Sequence, residues 1–257
     1  MNYQEFKDDP RLMFDFLDFF LQFRPHNYQK EFLLNCLNHN KVLGLWPRQS
    51  GKSTTVSAYC VARCSIEPTA IMIIAPTQTQ SSELFMKIKT FVESNETLTS
   101  HLSKSTQTEM IWQNGSRIKA LPSGPEGKTI KGFTADIVII EEAGLMKDEI
   151  VNAVIMPMLA SKKDKGQVIK IGTPLTRNHF YRSCFQDKNY FVSRVTWKEC
   201  VEEGQYTQSL VDEQRRNMVD VQFKTEYCSD FISEEREYFS LQLVESCMEN
   251  YKLIQIV

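Results

Sequence analysis

Short apolar runs alternate with helix-period segments along most of the chain. VLGLW (42–46), AIMIIAP (70–76), DIVIIEE (136–142), QVIKIGTP (167–174) and NYFVSRVTW (189–197) predict strands. Residues 52–64, about 79–94 and 147–159 predict helices, and 108–121 a hairpin turning at Asn114 and Gly115. The strand runs lack a clean two-residue alternation, which fits strands covered on both faces by crossover helices. The predicted fold is therefore α/β, a mostly parallel central sheet flanked by helices. Near the start, FLDFFLQFRPHNYQKEFLLNCLNHN has helical spacing broken at Pro25 and resumed from Asn27, read as a cap, through Asn38. After Trp197 the pattern turns helical, polar and acidic over 205–250, with apolar anchors at Phe223, Tyr227, Phe231, Tyr238 and Phe239. This divides the chain into a core over 1–200 and a small helical lid or linker subdomain over 201–257.

With 257 residues, 42% of them hydrophobic, the chain can bury one large α/β core, with or without a small appendage. Its seven cysteines are scattered. Cys60 and Cys64 share a helix face with no histidine close in sequence, so buried thiols in a reducing compartment are expected and zinc is not. His26, His39, His101 and His179 are isolated and read as turn or surface positions. The opening residues lack a signal-peptide pattern, and no stretch approaches membrane-spanning length. The net charge of -2 conceals a mildly basic body and an acidic final section, which permits a weak DNA contact.

Chemistry concentrates at the ends of the predicted strands. WPRQSGKST (46–54) follows VLGL and opens a helix, the placement of a phosphate-binding loop. Gly51 permits close backbone approach, the helix-entry amides can face phosphate oxygens, Lys52 reaches the terminal phosphates, and Ser53 is placed to ligate magnesium. Arg48 adds a charge-assisted phosphate contact, or else a surface ion pair. The leading glycine of the full pattern is missing: Pro47, Arg48, Gln49 and Ser50 precede Gly51. The apolar strand ending in Glu141 and Glu142 offers one carboxylate to magnesium and the other to an attacking water, here Glu141 and Glu142 respectively. In RPHNYQ (24–29), Gln29 can present a donor and an acceptor to an adenine edge, and Tyr28 or Arg24 can stack on the base, although a helix entry rich in aromatics also needs packing. Thr173 of IGTP can sense the terminal phosphate through its hydroxyl. The glycine-rich stretch 123–134, with Lys128 and Lys131, reads as a basic loop for DNA or a neighbouring subunit's nucleotide, or as a solvated linker.

Taken together these segments resemble the ATPase domain of the large terminase subunit, the motor of tailed viruses that packages DNA into a prohead. The resemblance covers nearly the whole chain: RPHNYQ on the adenine side, the variant phosphate loop PRQSGKS, IIEEAG as the acidic motif, IGTP as the coupling motif, and FKTEYCSDF (223–231) near the end. It implies a P-loop NTPase fold using ATP and magnesium, with Pro47 to Thr54 on the nucleotide and Lys52, Arg48, Glu142 and Thr173 serving catalysis. The implied partners are double-stranded DNA, portal protein and prohead, the small terminase subunit, and further copies in a ring on the portal, in host cytoplasm and away from membranes. Two positions depart from the family. Its Asp-then-Glu becomes Glu141–Glu142, and its arginine–glycine pair upstream of that strand, which reaches a neighbour's ATP in some members, corresponds to Lys131–Gly132. Lysine supplies charge without the planar fork, so Arg48 is the stronger candidate for a finger. Large terminases continue into a nuclease domain, expected to be absent here, so DNA cleavage is not assigned to these residues. Two rival readings stay open: a nonhydrolytic nucleotide-dependent DNA-binding or assembly module, and a helicase-like translocase. The second ordinarily needs another motor domain, for which the section after Trp197 shows no sheet pattern.

Overall fold

The computed structural model describes residues 2–231 apart from Pro125 and Thr176; Tyr238, Phe239 and the predicted helical stretch beyond 231 lie outside the described residues. Three helices open the chain: α1 (Tyr3–Asp8), α2 (Arg11–Leu21) and α3 (Asn27–Asn38). Then follow β1 (Lys41–Leu45), α4 (Lys52–Ile66), β2 (Ala70–Ala75), α5 (Gln78–Glu93), α6 (Glu96–Ser100), β3 (Leu102–Ser105), β4 (Glu109–Trp112), β5 (Arg117–Pro122) and β6 (Ile137–Ile140). After α7 (Asp148–Ile150) come β7 (Gln167–Gly172), α8 (His179–Phe185), β8 (Phe191–Arg194), α9 (Trp197–Glu202), α10 (Gln208–Asn217) and α11 (Asp220–Cys228).

The eight strands form one sheet in the order β3-β4-β5-β2-β6-β7-β1-β8. Strands from β5 to β8 pair in parallel, while β3 and β4 add an antiparallel edge. Period-two alternation sends successive strand residues to opposite faces. Val42, Ile71, Ile73, Ile137, Ile139, Ile169 and Ile171 join α3, α4 and α5 in one core. Leu43, Leu45, Met72, Ile74, Val138, Ile140 and Val168 build the other, with Phe180 of α8. The mostly parallel α/β sheet is as predicted, and its consequence for function is positional. Parallel pairing brings the carboxyl ends of β1, β7 and β6 to one edge, side by side, so the segments after them converge.

Local structure departs from expectation in four places. The predicted hairpin gains β3 as an outer partner, with Leu102 opposite Trp112. The helix predicted over 147–159 is irregular: α7 runs into a π turn at Val151–Ile155 and then 3-10 turns over Met156–Lys165. Pro157 lacks an amide for an α-helical bond and crowds the carbonyl four residues earlier, which opposes a regular helix here. His26, not Asn27, caps α3; its amide donates to Gln29 Oε1 at 2.9 Å, while Asn27 Nδ2 bonds Glu203 Oε1 at 2.6 Å. His179 is buried, not superficial, because the start of α8 packs on the sheet with Phe180 in the core, which sets Lys170 Nζ 3.2 Å from His179 Nδ1. Cys60 and Cys64 are buried free thiols. Of the predicted lid, Tyr206, Val211, Phe223 and Tyr227 pack into the same core as α3 and α4. Among the described residues no helix is long and apolar enough to cross a membrane.

Candidate nucleotide site

The loop leaving β1 is shaped from beneath. Tyr28 OH donates to Ser50 O at 2.8 Å, Gln205 Nε2 to Gln49 O at 2.8 Å, and Tyr206 OH to Arg48 O. Each trans peptide directs its amide opposite its carbonyl. With three successive carbonyls held by the scaffold, the amides of Gln49, Ser50 and Gly51 face away from those supports. That arrangement suits an anion, since unpaired amides and the helix dipole both favour negative charge. Gln49 and Gly51 take φ of +56° and +86°, the left-handed region. A β-carbon on Gly51 would come within 2.4 Å of Gln29 Nε2, so glycine is required here by both backbone and neighbour.

Lys52, the first residue of α4, is 8% exposed and turns its amine back into the loop, donating to Pro47 O at 2.7 Å and Trp46 O at 3.0 Å. Burial pushes its pKa down, against the attraction of Glu142, Glu141 and Glu226. One residue on, Ser53 Oγ donates to Glu141 Oε1 at 2.8 Å, joining the loop to the acidic strand across β7. Glu141 is buried, and its other oxygen, Oε2, has no hydrogen-bond partner. Burial, and then the Glu142 charge, push its carboxyl up to about 7, while Ser53 and Lys52 oppose the rise. A buried carboxylate oxygen without a partner beside a serine hydroxyl has the chemistry of a divalent-cation site, and the oxygen donors suit magnesium. Glu142 is half-buried at the head of the turn Ala143–Leu145, and Thr173 is half-buried just after β7.

The remaining predicted residues fall into two groups. Pro47 and Ser50 are buried in the loop, with Ser50 Oγ donating to Pro47 O at 2.7 Å, and Thr54 is half-buried on α4. Tyr28 and Gln29 lie under the loop, Tyr28 edge-on to Trp46, and the Gln29 amide lies 3.4 Å from Ser50 O. With Gln29 2% exposed, the visible role of this pair is to support the loop backbone. Arg24 is exposed and paired with Asp18 of α2 at 2.8 Å, apart from the loop contacts. Arg48 pairs with Glu226 of α11 at 2.5 Å and its amide donates to Glu226 O at 3.1 Å. Lys131 and Gly132 are exposed, while Lys128 pairs with Glu126 at 2.5 Å. Sequence reasoning missed Gln205, Tyr206 and Glu226 as loop supports. Glu226 falls inside FKTEYCSDF, whose composition signalled interest without specifying a role.

Comparison with known proteins follows the same lines. The sequence profile of the family described as "Terminase large subunit, T4likevirus-type, N-terminal" matches residues 43–246. The large terminase ATPase domain of Thermus phage P74-26 superposes with a TM-score of 0.71 at 20% identity, over 85% of this chain and 98% of that one. The large terminase of bacteriophage HK97 gives a TM-score of 0.73 at 15% identity, over 88% of this chain and 57% of that one. A large terminase from a thermophilic bacteriophage, in complex with ATP-gamma-S, gives 0.62 at 11% identity, over 82% and 56%. A search of the curated proteins returned no match. The profile match spans most of the chain, and the sheet, loop and acidic strand agree with it: the chain belongs to the large terminase subunit family, as the N-terminal domain of the T4-like-virus type.

Proposed function

We propose that this chain is the magnesium-dependent ATPase motor domain of a terminase large subunit, hydrolysing ATP to drive double-stranded DNA into a prohead. The observation that carries the reading is the 2.8 Å bond from Ser53 Oγ to Glu141 Oε1, with Glu141 Oε2 left unpartnered. It joins the two halves of a nucleotide–metal site that lie far apart in sequence. The amides of Gln49 to Gly51 bind phosphate oxygens, and Lys52 exchanges the Pro47 and Trp46 carbonyls for the terminal phosphates. Ser53 and Glu141 would hold magnesium, which when bound neutralises charge on the phosphate oxygens. Glu142 accepts a proton from the attacking water. Thr173 reads the terminal phosphate, and Arg48, released from Glu226, adds charge to the developing transition state. Adenine recognition by Gln29 would require its buried amide to give up the 2.9 Å bond from His26 N, so Gln29 acts first on the loop and through it on the nucleotide. The portal, the small terminase subunit, a nuclease domain in a longer chain and a ring of copies complete the packaging machine in host cytoplasm.

The test is magnesium-dependent phosphate release by the purified protein. Glu142→Gln should lower turnover by about 100-fold or more, within the contribution of a positioned general base, while ATP affinity is retained. Turnover equal to the parent would remove Glu142 from catalysis. Nucleotide binding without turnover in the parent protein would favour the nonhydrolytic assembly module.

A further inference from the structure

The turn carrying Glu142 has a polar tether outside the phosphate-loop, acidic and coupling motifs. Glu142 adopts φ +49° and ψ +48°, the left-handed region, which a non-glycine residue keeps only where its surroundings impose it. The turn closes locally, with Leu145 N donating to Glu142 O at 2.9 Å and Met146 N to Ala143 O at 3.2 Å. One flank is the end of β7, where Thr173 O would lie 2.6 Å from a Gly144 β-carbon, so backbone meets backbone. The other flank is Asn178. Its Nδ2 donates to Gly144 O at 2.7 Å, and its Oδ1 accepts from Phe180 N at 2.9 Å. The two ends of the amide therefore have separate tasks: the acceptor caps α8 and the donor grips the turn. The start of α8 is itself anchored, since Asp148 accepts from His179 N at 2.7 Å and pairs with Arg182 at 2.5 Å.

We propose that Asn178 is a positioning residue for Glu142. By fixing the carbonyl two residues beyond Glu142 to a helix start that is itself anchored, it holds the strained turn in the one arrangement that presents the carboxylate to the attacking water. The proposal rests on the reading of Glu142 as the group that takes the proton from that water. A misplacement of about 1 Å in a catalytic group can lower turnover by about 100-fold without disturbing substrate binding, so a single tether of this kind has a measurable effect on rate.

Asn178→Asp separates the two tasks. Aspartate caps helices as well as asparagine does, so α8 is retained, while the donor facing Gly144 O is replaced by an acceptor. Asn178→Ser is the second variant, keeping a capping hydroxyl and losing the amide. For both, kcat for ATP hydrolysis should fall by about 10- to 100-fold, with ATP affinity close to the parent and the fold retained at the assay temperature. Combining Asn178→Asp with Glu142→Gln should lower the residual rate no further than Glu142→Gln alone, since the two act through one group. Parental turnover in both Asn178 variants overturns the proposal, as does a loss of ATP affinity matching the loss of rate, or a further loss in the double variant. Parental turnover in Glu142→Gln by itself is the separate result that sinks the underlying reading of Glu142.

Discussion

Gly51→Ala tests how the loop is built. At φ +86° and ψ +14° a β-carbon costs about 1–2 kcal/mol. The new carbon would also stand 2.4 Å from Gln29 Nε2. A side-chain end can usually retreat, but Gln29 is 2% exposed and its Oε1 accepts from His26 N at 2.9 Å. Moving the amide forfeits that bond, worth about 1 kcal/mol; the 3.4 Å approach to Ser50 O adds little. The sum is roughly 2–3 kcal/mol of stability. Urea unfolding followed by tryptophan fluorescence suits the measurement, since Trp46 is buried beside the loop. The decisive comparison is a cycle with Gln29→Ala. In that background the collision is gone, and Gly51→Ala should cost only the backbone strain of about 1–2 kcal/mol, a coupling near 1 kcal/mol. A cost below about 0.5 kcal/mol, or equal costs in both backgrounds, would refute the claim that Gln29 forms the floor of the loop.

Two further outcomes follow from other buried polar groups. Gln167 is 5% exposed and bonds Tyr59 OH, Cys36 O and His39 O at 2.9, 2.6 and 2.8 Å. Tyr59 OH also donates to Cys36 O at 3.0 Å, so Gln167→Leu leaves His39 O as the acceptor without a donor; it should destabilise by roughly 1–3 kcal/mol in urea unfolding, and a change near zero would contradict that bonding. His179 is held at about 4, below its ordinary 6.5, first by burial and then by Lys170. Between those values the unfolded chain takes up a proton that the folded chain refuses, so stability is complete above pH 6.5 and is lost as pH falls toward 4. The contribution is roughly 3 kcal/mol, and the stability–pH profile of His179→Gln should be flatter across that window; parallel profiles would refute the assignment.

The sheet was legible because burial on both faces leaves a plain mark: IVII in β6 and VLGL in β1 read as strands without ambiguity. Strand order was not legible, since Ile169 or Ile171 would satisfy the pattern next to several partners. It emerges only from pairing, and it places β7 between the two halves of the nucleotide site. The motifs WPRQSGKST and IIEEAG singled out Ser53 and Glu141, and the structure brings the two within 2.8 Å of each other. Residues acting through the backbone left no such mark. Gln205 holds a carbonyl from 156 positions away, and a glutamine in a polar stretch looks the same whether or not it does so. His179 was hidden for a related reason: alone in the sequence it reads as a turn or surface residue, and the fold sets it in the interior beside Lys170.

The fastening of the loop to α11 changes where the working unit ends. Among the described residues the last strand closes at Arg194, and a boundary drawn by sheet architecture would fall there. Yet the Arg48 guanidinium and amide are both held by Glu226, and the Gln49 and Arg48 carbonyls by Gln205 and Tyr206. A chain shortened at Trp197 would keep every described strand and lose the posts that hold the Gln49 and Arg48 carbonyls. The smallest fragment able to present a phosphate cradle therefore runs through α11, some thirty residues beyond the smallest fragment able to complete the sheet.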